Sequence, residues 1–208
     1  MSGPEGHEPP GRKRPSFIEQ ARRAQIVEAA AEVVAEVGYA HTSFARIAEK
    51  AGISKSVISY HFGSKDEILR LVVTRLFDRG WQHMEPRIAA EKTAAGRVRA
   101  WIGSQLEFFQ AHRVEFLAMS EIMANHRGED GSYAYSDELA EEVDGIAEIL
   151  AQGQRDGELR SFDPRGVANI IVRCVDGVLE SWAMDPGVDL DQQTAVLLDF
   201  IDHAIGAG

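Results

Sequence analysis

The chain has 208 residues, 44% of them hydrophobic, with one cysteine and a formal net charge of −11. This is an ordinary composition for a soluble globular protein of one or two domains, and the lone Cys174 excludes an internal disulfide framework and fits a reducing cytoplasm. No apolar run approaches the roughly 20 residues of a membrane span, and the N-terminus lacks the apolar centre of a secretory signal, so a cytoplasmic location is expected.

The charge is unevenly spread. Residues 1–70 hold ten Lys and Arg against nine Asp and Glu, whereas the remainder holds twelve against twenty-four. A near-neutral N-terminal module therefore precedes an acidic body. Residues 1–15 are rich in Pro, Gly and charge and read as a disordered basic arm. Arg12, Lys13 and Arg14 at its end fit either a solubilising tail or an arm that lies along DNA phosphates. Ser16 and Glu19 form a capping box that opens a helix running to about Val37, with Gly38 as its stop.

The next segment, TSFARIAEKAGISKSVISYHFGSKDEIL over residues 42–69, has the spacing of two short helices joined by a tight turn. Ala48 is small enough for close helix approach, and Gly52 accepts the positive φ that ends the first helix. Ile47, Ala51, Ile53, Ile58 and Phe62 supply the apolar lock. This leaves Lys55, Ser56, Ser59 and Tyr60, with His61 just beyond, on the outer face of the second helix. Such an amine, hydroxyl and imidazole face suits the hydrogen-bonding edges of the DNA major groove. Ser64 with Glu67 opens a longer helix that reaches about Ala90, with Pro86 inside it as a candidate bend.

Everything further along the chain also reads helical. Apolar periodicity marks helices over Arg97 to Ala111, Arg113 to His126, and Asp137 to Arg155. Asp163-Pro164 caps a helix to about Met184, and a last one covers about Leu190 to Ile205. No segment alternates with period two, so the fold class is all-α, with an N-terminal three-helix helix-turn-helix domain and a larger helical domain. The wide apolar stripes of the last two helices either close the domain's own core or form a dimer interface. The second reading is preferred, because helix-turn-helix proteins read two-fold operators as dimers.

The stretches RAQIVEAAAEVVAEVGY, TSFARIAEKAGIS and YHFGSKDEIL resemble the TetR family of transcriptional regulators, most specifically over Ala24 to Val72. The resemblance implies a DNA-binding domain over residues 16–63 and a ligand-binding and dimerisation domain over 64–208. It also implies a homodimer through the helices at about 164–184 and 190–205, and repression relieved by a small molecule. By the same resemblance Thr42, Ser43 and Lys65 sit at phosphate contacts, and Lys55, Ser56 and Ser59 on the recognition face. Tyr60 and His61 match phosphate-reaching positions, with a structural bridge to the next helix as the other reading. Ser59 departs from the family pattern, which has an aromatic residue there.

Little supports an enzyme. Cys174 lies on an apolar stripe, no His pair has metal-ligand spacing, and no phosphate-binding glycine motif occurs, so no catalytic residue, cofactor or metal is expected. Glu141-Glu142 reads as a solvated helix face. Trp81, Met84, Trp101, Phe108, Phe109, Phe116, Met119, Met123 and Trp182 are either ordinary core or the lining of an effector cavity. As a set they favour a hydrophobic or aromatic effector. Arg99, Gln105, Glu121, Asn125 and Arg173 are its candidate polar anchors. The expected function is a repressor released from a palindromic operator by such an effector. The alternative is a helical small-molecule-binding protein whose DNA module is vestigial.

Overall fold

A computed structural model describes residues 16–128, 131–132, 134–185 and 187–206. The basic arm, with Arg12 and Arg14, lies outside the described residues. Among those described there are nine α-helices and no strand. They are α1 (Phe17–Val37), α2 (Phe44–Lys50), α3 (Lys55–His61), α4 (Lys65–Ala90) and α5 (Ala94–Ala111), followed by α6 (Arg113–Asn125), α7 (Ser136–Arg155), α8 (Pro164–Met184) and α9 (Leu190–Ile205).

The start of α1 carries the reciprocal capping box read from the sequence. The Glu19 N–H donates to the Ser16 hydroxyl at 3.2 Å, and the Ser16 N–H donates to the Glu19 carboxylate at 2.9 Å. Ile26, Ala30, Val33 and Val34 turn inward, and α1 packs against α2, α3, α4 and α6. In the turn after α2, Gly52 takes φ 64°, a left-handed conformation that a side chain would strain. That geometry lets the Ile53 N–H reach the Ala48 carbonyl at 3.0 Å. Ile47, Ile58 and Phe62 are buried, which fixes α3 as a short rod with one inner and one outer face.

Two polar side chains of α1 hold this head together. The Gln25 amide donates to the Ala51 carbonyl at 2.9 Å. Arg23 donates to the His61 carbonyl, pairs with Glu67 at 3.0 Å, and lies 4.0 Å from the centroid of the Phe62 ring. The second capping box is therefore only half formed. Ser64 accepts from the Glu67 N–H at 3.1 Å, but the Glu67 carboxylate takes the Gly63 N–H at 2.9 Å and Arg23 instead. Burial works against that charge, yet the Gly63 N–H and Arg23 hold the carboxyl below its usual range.

Helix α4 runs unbroken through Pro86 and is the spine of the chain. It packs on α1 and α6 on one side and on α5 on the other. At Gly80 an added Cβ would come within 3.3 Å of the Phe108 ring, so the missing side chain is what admits that ring between α4 and α5. Helix α5 starts at Ala94 rather than near Arg97, because Thr93 caps it through the Gly96 N–H at 3.0 Å. Helix α7 packs on α5 and α8, and α9 packs on α5 and α8. The Arg160 guanidinium ties the end of α9 to the α7–α8 loop through the Ala204 carbonyl at 2.6 Å.

Tyr39, in the α1–α2 turn, joins the head to the body. Its N–H donates to Glu121 of α6 at 3.1 Å and its carbonyl accepts from Lys65 Nζ at 3.1 Å. The same ammonium lies 4.3 Å from the centre of the Tyr39 ring, and the Tyr39 hydroxyl donates to Asp66 at 3.4 Å. The Tyr39 ring in turn lies 6.2 Å from that of His126, which shares a 3.2 Å hydrogen bond with the Tyr135 hydroxyl.

The Arg23 clamp carries a measurable share of the head's stability. Arg23→Ala should destabilise the protein by about 1–2 kcal/mol in urea unfolding, since it loses a charge-assisted hydrogen bond and a cation–π contact. The exposed Arg46→Ala should stay within about 0.5 kcal/mol of the parent.

Candidate functional site

Helix α3 buries Ile58 completely and turns Lys55, Ser56, Ser59 and Tyr60 to solvent, with Tyr60 77% exposed. The Ser54 and Ser56 hydroxyls lie 2.8 Å apart at its start, and Ser54 makes no side-chain cap bond there. Tyr60 stands edge-on to His61 with ring centroids 5.0 Å apart. His61 is half-buried, and its carbonyl serves Arg23. The head thus presents an amine, hydroxyls and a phenol on a short helix that its neighbours hold rigid.

Around this face the other expected contact residues differ in what their side chains do. Ser43 is exposed and caps α2 by accepting the Arg46 N–H at 3.4 Å, and Arg46 adds an exposed guanidinium beside it. Thr42 is turned inward: it is 4% exposed and its hydroxyl donates to the Gly38 carbonyl at 2.8 Å. The side chain therefore holds the α1–α2 turn instead of standing on the surface. Lys65 is half-buried against Tyr39, so its ammonium also serves the head–body junction.

In the body, α4, α5 and α7 line an open-sided cavity of about 450 Å³. Trp81, Met84, Trp101, Phe108 and Phe109 line it, as does Gln105. Met119, Met123 and Trp182 do not line it. Met119 and Met123 sit on α6, which packs between α1 and α4. Trp182 packs 6.4 Å from the Phe116 ring, with the Arg113 guanidinium 5.6 Å from the indole, and Phe116 in turn lies tilted against Phe109 at 4.9 Å. A larger groove of about 740 Å³ lies between α1, α4 and α6, but it holds six charged residues and no aromatic ring.

The cavity also recruits residues that the sequence reading left out. Phe77 and Asp78 of α4 and Glu138, Glu141 and Glu142 of α7 reach it. Glu142, read as part of a solvated face, is only partly exposed and accepts from Gln105 Nε2 at 3.1 Å. Its spacing of four residues before the buried Ile146 was the available signal, since i and i+4 share a helix face. Burial, reinforced by Asp176, pushes its carboxyl up to about 7. Asp176 is itself raised by burial, despite its 3.0 Å pair with Arg173. Gln105 Oε1 is buried without a donor.

Helices α8 and α9 leave apolar side chains uncovered. Ile170 is 56%, Val196 60% and Phe200 57% exposed, and Cys174 and Val178 continue the α8 stripe half-buried. No described helix is long and apolar enough to cross a membrane.

Residues 26–72 match the model of the bacterial regulatory proteins of the tetR family. The chain is 24% identical over 183 residues to the fatty acid metabolism regulator protein of Bacillus subtilis, a match covering 83% of this chain and 86% of that protein. A transcriptional regulator of Saccharomonospora viridis, solved in complex with choline, is 26% identical with a TM-score of 0.76, covering 91% of this chain and all (100%) of that one. The Bacillus subtilis regulator FadR in complex with stearoyl-CoA has a TM-score of 0.73 at 24% identity, covering 85% and 95%, and supports the fold. These relatives are regulators, not enzymes. Residues 26–72 thus carry the DNA-binding module of the tetR family, and the chain as a whole is similar in fold to transcriptional regulators of that family.

Proposed function

We propose that this protein is a cytoplasmic, homodimeric repressor that leaves a palindromic operator when a small molecule fills the cavity between α4, α5 and α7. In this reading residues 16–63 read DNA, and residues 64–208 bind the effector and dimerise. The observation that carries it is the outer face of α3, polar and exposed on a helix whose inner face is locked by Ile47, Ile58 and Phe62. Lys55, Ser56 and Ser59 would read base edges, while Ser43, Tyr60, His61 and Lys65 would set register through phosphates. The basic arm with Arg12 and Arg14 would add phosphate contacts.

Coupling between the two sites has a physical route. Helix α4 lines the cavity with Phe77, Trp81 and Met84 and begins with Lys65 and Asp66 at Tyr39. An effector that binds one arrangement of α4 better than another shifts the population of heads that fit the operator, by no more than its difference in affinity. The two ligand-bound neighbours hold opposite chemistries, a polyanionic thioester and a small quaternary cation, so the relatives leave the effector class open.

Selection from random DNA on the purified protein should recover a palindrome bound by a dimer, with affinity that falls steeply with salt. Weak, sequence-independent binding beside tight ligand binding would favour a ligand-binding protein with a vestigial head. On the selected site Ser56→Ala should alter preference at one or two base pairs. Lys65→Ala should weaken all sequences alike and lower the salt slope by about one.

The exposed stripe of α8 and α9 supports self-association, because isolated surfaces rarely leave such side chains together in water. Phe200→Glu should convert the dimer to a monomer in sedimentation analysis and abolish specific DNA binding. A dimer that persists would place the interface elsewhere.

Glu142 is a destabilising residue kept beside the cavity. The unfolded chain ionises it in the ordinary glutamate range and the folded chain only near 7. Its contribution is therefore least unfavourable at low pH, and stability falls as pH rises between those values. Glu142→Gln should raise stability at pH 8 by about 3 kcal/mol and change little at pH 4, measured by chemical unfolding.

A further inference from the structure

We propose that the effector is an organic cation with an apolar or aromatic body, held in the cavity by acceptors and ring faces. This rests on the reading of that cavity as the effector site.

The polar groups that line the cavity are Asp78, Gln105, Glu138, Glu141 and Glu142, and among the described residues no Lys, Arg or His lines it. Glu142 and Gln105 are withdrawn from solvent among rings and aliphatic side chains, while Asp78, Glu138 and Glu141 are exposed and add negative charge at the cavity's open side. Gln105 sharpens the point. Its Nε2 is engaged by Glu142, while Oε1 is buried with no donor in reach. A buried acceptor left unpaired is unfavourable, and turning of the Gln105 amide toward a ligand N–H or cationic centre in the cavity would satisfy it. Phe77, Trp81, Trp101, Phe108 and Phe109 add ring faces, whose quadrupoles attract a cation. A volume of about 450 Å³ lies in the range of small-molecule sites and admits an aryl-alkyl amine.

The competing ligand classes fit less well. A carboxylate or a coenzyme A thioester would bring negative charge against four carboxyls with no cation among the lining residues. A neutral hydrophobe would strip water from Gln105 and Glu142 and replace it with nothing. Around Glu142 the charged groups are Asp78 on α4, Glu138 and Glu141 on its own helix, and Asp176 and Arg173 on α8. Arg173, the positive one among these, is already paired with Asp176 at 3.0 Å. Burial, with Asp176 next in size, keeps the Glu142 carboxyl raised, a penalty that a bound cation would relieve.

The test is calorimetric titration of the full-length protein with probes of one shape and different charge. These are 4-phenylbutylamine, 4-phenylbutanol and 4-phenylbutyrate, with benzyltrimethylammonium as a second cation and stearoyl-CoA as a polyanion. At least one of the two cations should bind more tightly than the alcohol by about tenfold or more, and the two anions most weakly. Glu142→Gln should lower the ratio of cation to alcohol affinity several-fold, and Trp81→Leu should weaken the cation more than the alcohol. Equal affinities, a preference for either anion, failure of both cations to bind, or a preference indifferent to Glu142→Gln overturns the assignment. Release of the selected operator is measured in parallel. A cation bound with this preference that leaves DNA binding unchanged overturns the effector reading and keeps the cation assignment. Release by the alcohol or an anion does the reverse.

Discussion

Helix α4 has to bury two apolar faces at once, and most of the architecture follows from that demand. Ile68, Leu69, Val72, Val73 and Leu76 are withdrawn from solvent in its first half, with Val72 and Leu76 beside α1 and α6. Gly80 and Met84 are withdrawn where it meets α5. Leu76 belongs to both regions, lining the groove beside α1 and the aromatic cavity. A single rod packed on both sides transmits small displacements, because a close-packed interior accommodates a shift by moving neighbours instead of absorbing it. Gly80 makes this tighter still by admitting the Phe108 ring against the α4 backbone.

Polar contacts then decide where that rod is tied. Lys65 and Asp66 at its first turn both hold Tyr39, and Glu121 of α6 holds the Tyr39 N–H from the other side. Arg23 performs a similar service between α1, the end of α3 and Glu67 of α4. The outer face of α3 is thus placed by side chains that make no use of its own outward groups. Lys55, Ser56, Ser59 and Tyr60 remain on the surface because Arg23, Gln25 and Tyr39 do the internal holding.

The head was legible in the sequence to within a residue or two, for a physical reason. Caps, tight turns and short-range apolar spacing are local, and Ser16, Ser43, Gly52 and Ser64 each announce a boundary through their own chemistry. The cavity was legible only in part, since it depends on which helices meet. Trp81 and Trp101 were recognisable as large apolar groups on facing helices, but nothing local separates them from Trp182, which packs elsewhere. The inward turn of Thr42 and the triple role of Arg23 are also tertiary facts. Glu142 was hidden for a different reason: a run of acids on a helix is usually solvent-facing, and only its register against Ile146 marks it otherwise.

The contact between Tyr39 and Glu121 bears on how such proteins can be recombined. The sequence invites a cut between residues 63 and 64, with the reading head on one side and the sensor on the other. The hydrogen-bonded unit does not respect that cut, because the α1–α2 turn is completed by side chains of α4 and α6. A head transplanted from another regulator would meet Glu121 and Lys65 without having evolved against them, and its turn would lose the donor and acceptor partners of its central backbone groups. The natural unit of exchange in a chimera is therefore the head together with α4 and α6, not the head alone.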